Sequence, residues 1–153
     1  MTVPVYCGLG SKSEIMKYFY NKISNISGVR FVDYQRSYAA SSNPENTPGV
    51  FINDIIETRE RITADIIKNT LTIGVVAWTR AGVVAKTEEN LWDKMNTFAD
   101  AINQAILSDP TLGNQAYQTS VTRVETDAGS RYPIGLFVIV YSVIYFSEGA
   151  TCC

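Results

Sequence analysis

The stretch PIGLFVIVYSVIYF (residues 133–146) decides how the fold is read. Leu136, Val138, Val140, Ile144 and Phe146 alternate with Phe137, Ile139, Tyr141, Val143 and Tyr145. Branched and aromatic side chains in this density favour a strand. The run is shorter than the ~20 residues a bilayer-spanning helix requires. Both sides of the strand are apolar, whereas an antiparallel strand commonly leaves one side wet. Burying one large side chain is worth roughly 1.5 to 3 kcal/mol, so five left in water would be an aggregation hazard. One side fits beneath a helix. The other needs a second helix or a neighbouring subunit.

Upstream, YQTSVTRVET (117–126) alternates, and DAGSRY (127–132) separates it from the apolar strand. That pattern predicts an antiparallel hairpin with a six-residue loop. The strand carrying Tyr117 and Arg123 also offers a sheet edge for pairing between subunits. Before it lies the clearest helix, EENLWDKMNTFADAINQAILSD (88–109), with Thr87 as its expected cap and Glu88 and Glu89 in its first turn. Leu91, Trp92, Met95, Phe98, Ala99, Ile102, Ala105 and Ile106 form its apolar stripe, which places Trp92 in the core. Asp93, Asn96, Thr97, Asp100, Asn103 and Gln104 line the other face. Asp109 and Pro110 stop the helix, because the residue before proline disfavours helical geometry. Gly113 and Asn114 supply the turn.

In the amino-terminal half, SKSEIMKYFYNKISNI (11–26) predicts a first helix capped by Ser11 or Ser13, with Ile15, Phe19, Ile23 and Ile26 at helical spacing. Gly28 is suited to close it in the left-handed region. VRFVDYQRSY (29–38) alternates as a strand. AASSNPENTPG (39–49), small, polar and broken by Pro44 and Pro48, predicts an exposed flexible loop. Two further strands follow, VFINDIIETRERI (50–62) and IIKNTLTIGVVAWT (66–79). In the second, Ile67, Leu71, Ile73, Val75 and Ala77 share one face. Lys68, Thr70 and Thr72 share the other, which turns apolar at Val76 and Trp78. The order predicts one α+β domain over 1–153, an antiparallel sheet of about four to five strands packed by two helices, with a frayed tail at 147–153.

Composition narrows the function. A chain of 153 residues that is 46% hydrophobic forms a real core, and 18% charged is low for a free surface, which points to subunit contacts. A net charge of -2 does not suit a strong nucleic-acid binder. There is no histidine, which removes the commonest general base and transition-metal ligand. Cys7, Cys152 and Cys153 fit neither a disulfide scaffold nor a zinc site and read as reduced cysteines. The start MTVPVYCGLGSKSE lacks the basic and apolar regions of a signal peptide, so synthesis in the cytoplasm is expected. CGLGSKS (7–13) lacks the spacing of a phosphate loop. Asp54, Glu57, Glu60 and Asp65 suggest a divalent-metal nuclease or hydrolase, with Asp54 and Glu57 as its core. Arg59, Arg61 and Lys68 interleave with them, and a salt-laced strand surface is the better reading. No catalytic, cofactor-binding or metal-binding residue is assigned. Aromatic residues with a polar tip suit interfaces, so Phe137, Tyr141 and Tyr145, with Pro44 and Pro48 in the loop, are the expected interface positions.

ADAINQAILSDPTLGNQ (99–115), followed by YQTSVTRVETD (117–127) and YPIGLFVIVYSVIYF (132–146), resembles the tail terminator, or tail completion, proteins of tailed bacteriophages. The likeness covers roughly the last 65 residues, as a cadence of helix, DPTLG turn and apolar strand. Asn114 stands where a second glycine is common, and asparagine tolerates the same turn. The resemblance implies a subunit of a hexameric ring at the tail–neck junction of a virion, assembled in the host cytoplasm. Such a ring caps the tail tube, stops its polymerisation and meets sheath subunits and a neck or connector protein, with no reaction and no cofactor. A head–tail connector or neck subunit is the alternative of the same class.

Overall fold

A computed structural model describes residues 11–34, 48–80, 88–126 and 134–148. Seven elements follow one another. They are α1 (Lys12–Ser24), β1 (Phe31–Asp33), β2 (Gly49–Arg61), β3 (Ile66–Arg80), α2 (Glu88–Leu107), β4 (Gln118–Thr126) and β5 (Ile134–Glu148). The strands form one sheet in the order β1-β2-β3-β5-β4. Every pairing is antiparallel except β1 with β2, which run parallel, so the expected antiparallel sheet is a mixed one. A parallel neighbour needs a long connection, and residues 34–48 provide it.

The centre of the sheet is the β3–β5 ladder, paired without interruption from Ile66↔Glu148 to Arg80↔Ile134. It joins like to like. Leu71, Ile73, Val75 and Ala77 lie beside Val143, Tyr141, Ile139 and Phe137 on one face. That face receives both helices. From α1 come Ile15, Phe19 and Ile23, and from α2 come Leu91, Met95, Phe98, Ile102 and Ile106. Phe19 meets Tyr141 edge to face at 5.3 Å, and Phe98 meets Phe137 in the same way at 5.7 Å. The Tyr141 hydroxyl donates to Asn103 Oδ1 at 2.6 Å, tying the centre of the sheet to α2.

Local chemistry explains the helix ends. Ser11 rather than Ser13 caps α1, its Oγ accepting from the Glu14 N–H. Gly28, at φ +92, turns the chain back toward the sheet. Thr87 lies outside the described residues. At the far end of α2 the Asp109 carboxylate accepts from the Thr111 hydroxyl and from the backbone N–H groups of Thr111 and Gly113. These bonds, the Thr111 hydroxyl first, hold its carboxyl below the usual aspartate value. They bind a turn in which Leu112, Gly113 and Asn114 all have positive φ. A leucine there is strained, but its side chain is fully buried and closes the end of the core.

Several expectations are corrected. Strand β1 is three residues, not ten; Val29 and Arg30 precede it, and residues 35–38 lie outside the described residues. Gly49 belongs to β2 rather than to the loop, and Ser147 and Glu148 belong to β5 rather than to a frayed tail. Trp92 is 64% exposed rather than in the core. The buried stripe runs through Leu91, Met95, Phe98, Ile102 and Ile106, and Trp92 sits about 100° round from Leu91, on the flank with exposed Asn96.

Gly135 marks a close approach of α2 to the sheet. A Cβ there would collide with the Met95 sulfur and lie 2.8 Å from Met95 Cγ and 3.0 Å from Leu91 Cδ1. Gly135→Ala is expected to lower stability to chemical denaturation by about 1 to 3 kcal/mol. Adding Met95→Ala should give a smaller total loss than the sum of the single losses, because the shortened side chain leaves room for the new methyl.

Candidate functional site

Three regions bear on the functional role: a polar cluster beside α1, the sheet face turned away from the helices, and the two margins of the sheet. The polar cluster lies where the bulge between Asp54 and Ile56 re-aims β2. Asp54 forms an ion pair with Lys12 at the start of α1. The hydrogen bond and charge of Lys12 hold the Asp54 carboxyl below its ordinary value, and Asp54 raises the Lys12 ammonium in return. Both residues border an open groove with Ser13, Met16, Lys17, Tyr34 and Ile52. Further along the same face of β2, Glu57 accepts a hydrogen bond from the Tyr145 hydroxyl and an ion pair from Arg59 at 3.2 Å. Burial, and then Glu57, push the Tyr145 phenol well above its ordinary value.

These side chains hold elements together rather than gather for a reaction. The two carboxylates that suggest a metal-dependent hydrolase are each engaged, Asp54 by Lys12 and Glu57 by Tyr145 and Arg59. Glu60, opposite Lys68 in the register, points to the other face of the sheet. Asp65 lies in the hairpin tip, where its N–H donates to Thr63 Oγ1. Among the described residues, no three cysteine, aspartate or glutamate side chains are grouped to hold a metal.

The expected interface positions fare differently. Phe137, Tyr141 and Tyr145 are 1%, 0% and 4% exposed, on the face that both helices cover. Within the single chain they are core residues. Pro48 is half-buried, its carbonyl accepting from the Arg30 N–H at 2.9 Å. Pro44 lies outside the described residues. The other side of β5 is the one that faces away from the helices. On it Phe51, Val76 and Trp78 form a second buried cluster, with Phe31, Ile134, Leu136 and Val138 packed against them. Phe51 and Trp78 stand 4.8 Å apart, and Phe31 leans on both. The Trp78 indole Nε1 is buried and has no acceptor among the described residues. Beyond this cluster the same face carries Gly74 and Val140, then Thr72 with Ser142 and Thr70 with Ile144.

The sequence signal for this surface was present in β3, whose even-numbered residues change from Lys68, Thr70 and Thr72 to Val76 and Trp78. What could not be read was that even positions of β5 share that face. The margins are the third surface. Strand β4, with Tyr117 at its start and Arg123 within it, ends the strand order, as the alternating pattern had suggested for an edge.

The Lys12–Asp54 pair gives a test on pH. A depressed aspartate adds stability that is fully present above its ordinary value of 3.8 and is lost as pH falls through the folded-state value. Asp54→Asn is therefore expected to lower the unfolding midpoint at neutral pH. The gap from the parent chain should close at about pH 2, as followed by circular dichroism.

No family model matches the chain, and no curated protein matches it. Among solved structures, the backbone is similar to that of a chain from the "Virion of native gene transfer agent (GTA) particle". Identity is 12%, coverage is 86% of this chain and 92% of that one, and the TM-score is 0.48, a likeness too distant to carry an argument about function.

Proposed function

We propose that the chain is a structural subunit of a phage virion, a tail terminator. Six copies form a ring at the tail–neck junction that caps the tail tube, ends its polymerisation and presents a surface to the neck or connector protein. The 153 residues act as one domain, with tail-tube and sheath subunits as the further partners. The observation that carries this reading is the unit of α2, turn, β4 and β5. The residues that resemble tail terminators are those in which Asp109 fixes a left-handed turn between the covering helix and the edge hairpin.

Two features support it. The first is the set of exposed apolar side chains along the margins of the sheet, Ile55 and Ile56 on β2, Val124 on β4 and Tyr117 at its start. The second is the engagement of the carboxylates most open to a catalytic reading, Asp54 and Glu57, in structural pairs. Shape, apolar surface and hydrogen-bonding edges are what such a subunit needs.

Particles assembled without this protein should carry tails of abnormal, uncontrolled length or unfinished ends when viewed by electron microscopy. Detached tails of normal length would instead assign the chain to the head–tail connector.

A further inference from the structure

Resting on the ring reading above, we propose that the outer edge of β4 in one copy pairs antiparallel with the outer edge of β2 in the next. The sheets of neighbouring copies would then be continuous. At one margin of the sheet, residues 118–125 of β4 have no strand beside their outer edge among the described residues. At the other margin β1 pairs only with Gly49, Val50 and Phe51. Residues 52–61 of β2 therefore also lack an outer strand among the described residues. Rows of backbone N–H and C=O groups in this state are templates for a further strand. Exposed apolar side chains lie along the same margins: Ile55 and Ile56 on β2, Val124 on β4 and Tyr117 at its start.

Strand direction identifies a second copy as the occupant. Strand β2 runs opposite to β3, β3 opposite to β5, and β5 opposite to β4. Strands β2 and β4 therefore run in opposite directions. Repeating the subunit about an axis keeps those directions, so the β4 edge of one copy meets the β2 edge of the next as an antiparallel pair, with the helices of both copies on the same side. One edge of each kind per copy is the condition for a head-to-tail contact that closes into a ring.

Charge selects the register. Glu60 lies beside Lys68, which lies beside Phe146, while Arg123 lies beside Val140. Phe146 and Val140 share one face of β5, so Glu60 and Arg123 project from the same face, the one away from the helices. Arg123 bridges to Glu125 at 3.2 Å and keeps guanidinium N–H groups for a second carboxylate. Placing Glu60 of one copy beside Arg123 of the next offsets the copies by six residues along the strands, about 20 Å at ~3.3 Å per residue. Across four strand spacings of about 4.8 Å this is an inclination of about 45°, the size found in closed sheets. The bulges at Asp54/Ile56 and Val121/Arg123 break both edges locally and disfavour pairing in other registers.

The experiment uses the full chain and its charge-reversed variants Glu60→Arg, Arg123→Glu and the double variant. Ring mass is read by native mass spectrometry and light scattering, with thermal melting as the control for folding. Each single reversal should weaken association by roughly tenfold or more, and the double variant should recover it. Single variants that assemble like the parent, or a double variant that does not recover, would overturn the edge pairing and leave the ring reading standing. A parent chain that forms no ring would overturn both. If a variant fails to fold, hydrogen exchange of the parent decides. Peptides covering 118–126 and 52–61 should exchange more slowly in the ring than in the dilute subunit, and equal exchange would sink the proposal.

Discussion

The structure depends on the register of β3 against β5. Strand β5 is apolar in both directions and, considered alone, could bury either face, whereas β3 carries Lys68, Thr70 and Thr72 on one side. Their uninterrupted pairing from Ile66↔Glu148 to Arg80↔Ile134 commits Ile73, Val75, Tyr141 and Ile139 to the same side. A slip by one residue would bring Ser142, Val140 and Val138 under the helices and send Tyr141 and Phe137 outward. Packing of Phe19 on Tyr141 and of Phe98 on Phe137 therefore reports on the register as much as on the core. The hydrogen bond from Tyr141 to Asn103 adds a directional constraint that apolar contacts lack.

Helix placement follows from that commitment. Gly135 lets α2 approach where any side chain would meet Met95 and Leu91. At the other end, Asp109 stabilises three successive left-handed residues and carries Leu112 into the core. The strain of a left-handed leucine is offset by its burial and by three hydrogen bonds to one carboxylate. At the margin of the core, Lys12 with Asp54 and Tyr145 with Glu57 and Arg59 join α1 and β5 to the bulged half of β2. Acidic residues on a strand thus become structural clamps.

With both helices on one face and Phe51, Val76 and Trp78 buried on the other, exposed apolar side chains of the sheet lie toward its margins, at Ile55, Ile56 and Val124. That division of labour suits a subunit that must be stable alone and still joinable. In the proposed ring one surface settles the fold, and the edges carry the contacts. In that ring the bulges and charges on the edge strands would restrict which partner fits.

The amino-acid sequence by itself determined the kind and order of nearly every element. Alternation marked β2, β3, β4 and β5, a 3.6-residue stripe marked both helices, and Asp109, Pro110, Gly113 and Asn114 marked the turn. It also showed that β5 is apolar in both directions and that the strand with Tyr117 and Arg123 suits an edge. These features are local, set by side-chain shape and spacing. Which side of β5 meets the helices was decided only in three dimensions, since both sides satisfy the same pattern, and so Phe137, Tyr141 and Tyr145 proved to be core. The parallel partnership of β1, the exposure of Trp92 and the pairing of Lys12 with Asp54 were likewise tertiary outcomes. Each depends on where a distant segment lies, and short-range periodicity carries no information about that.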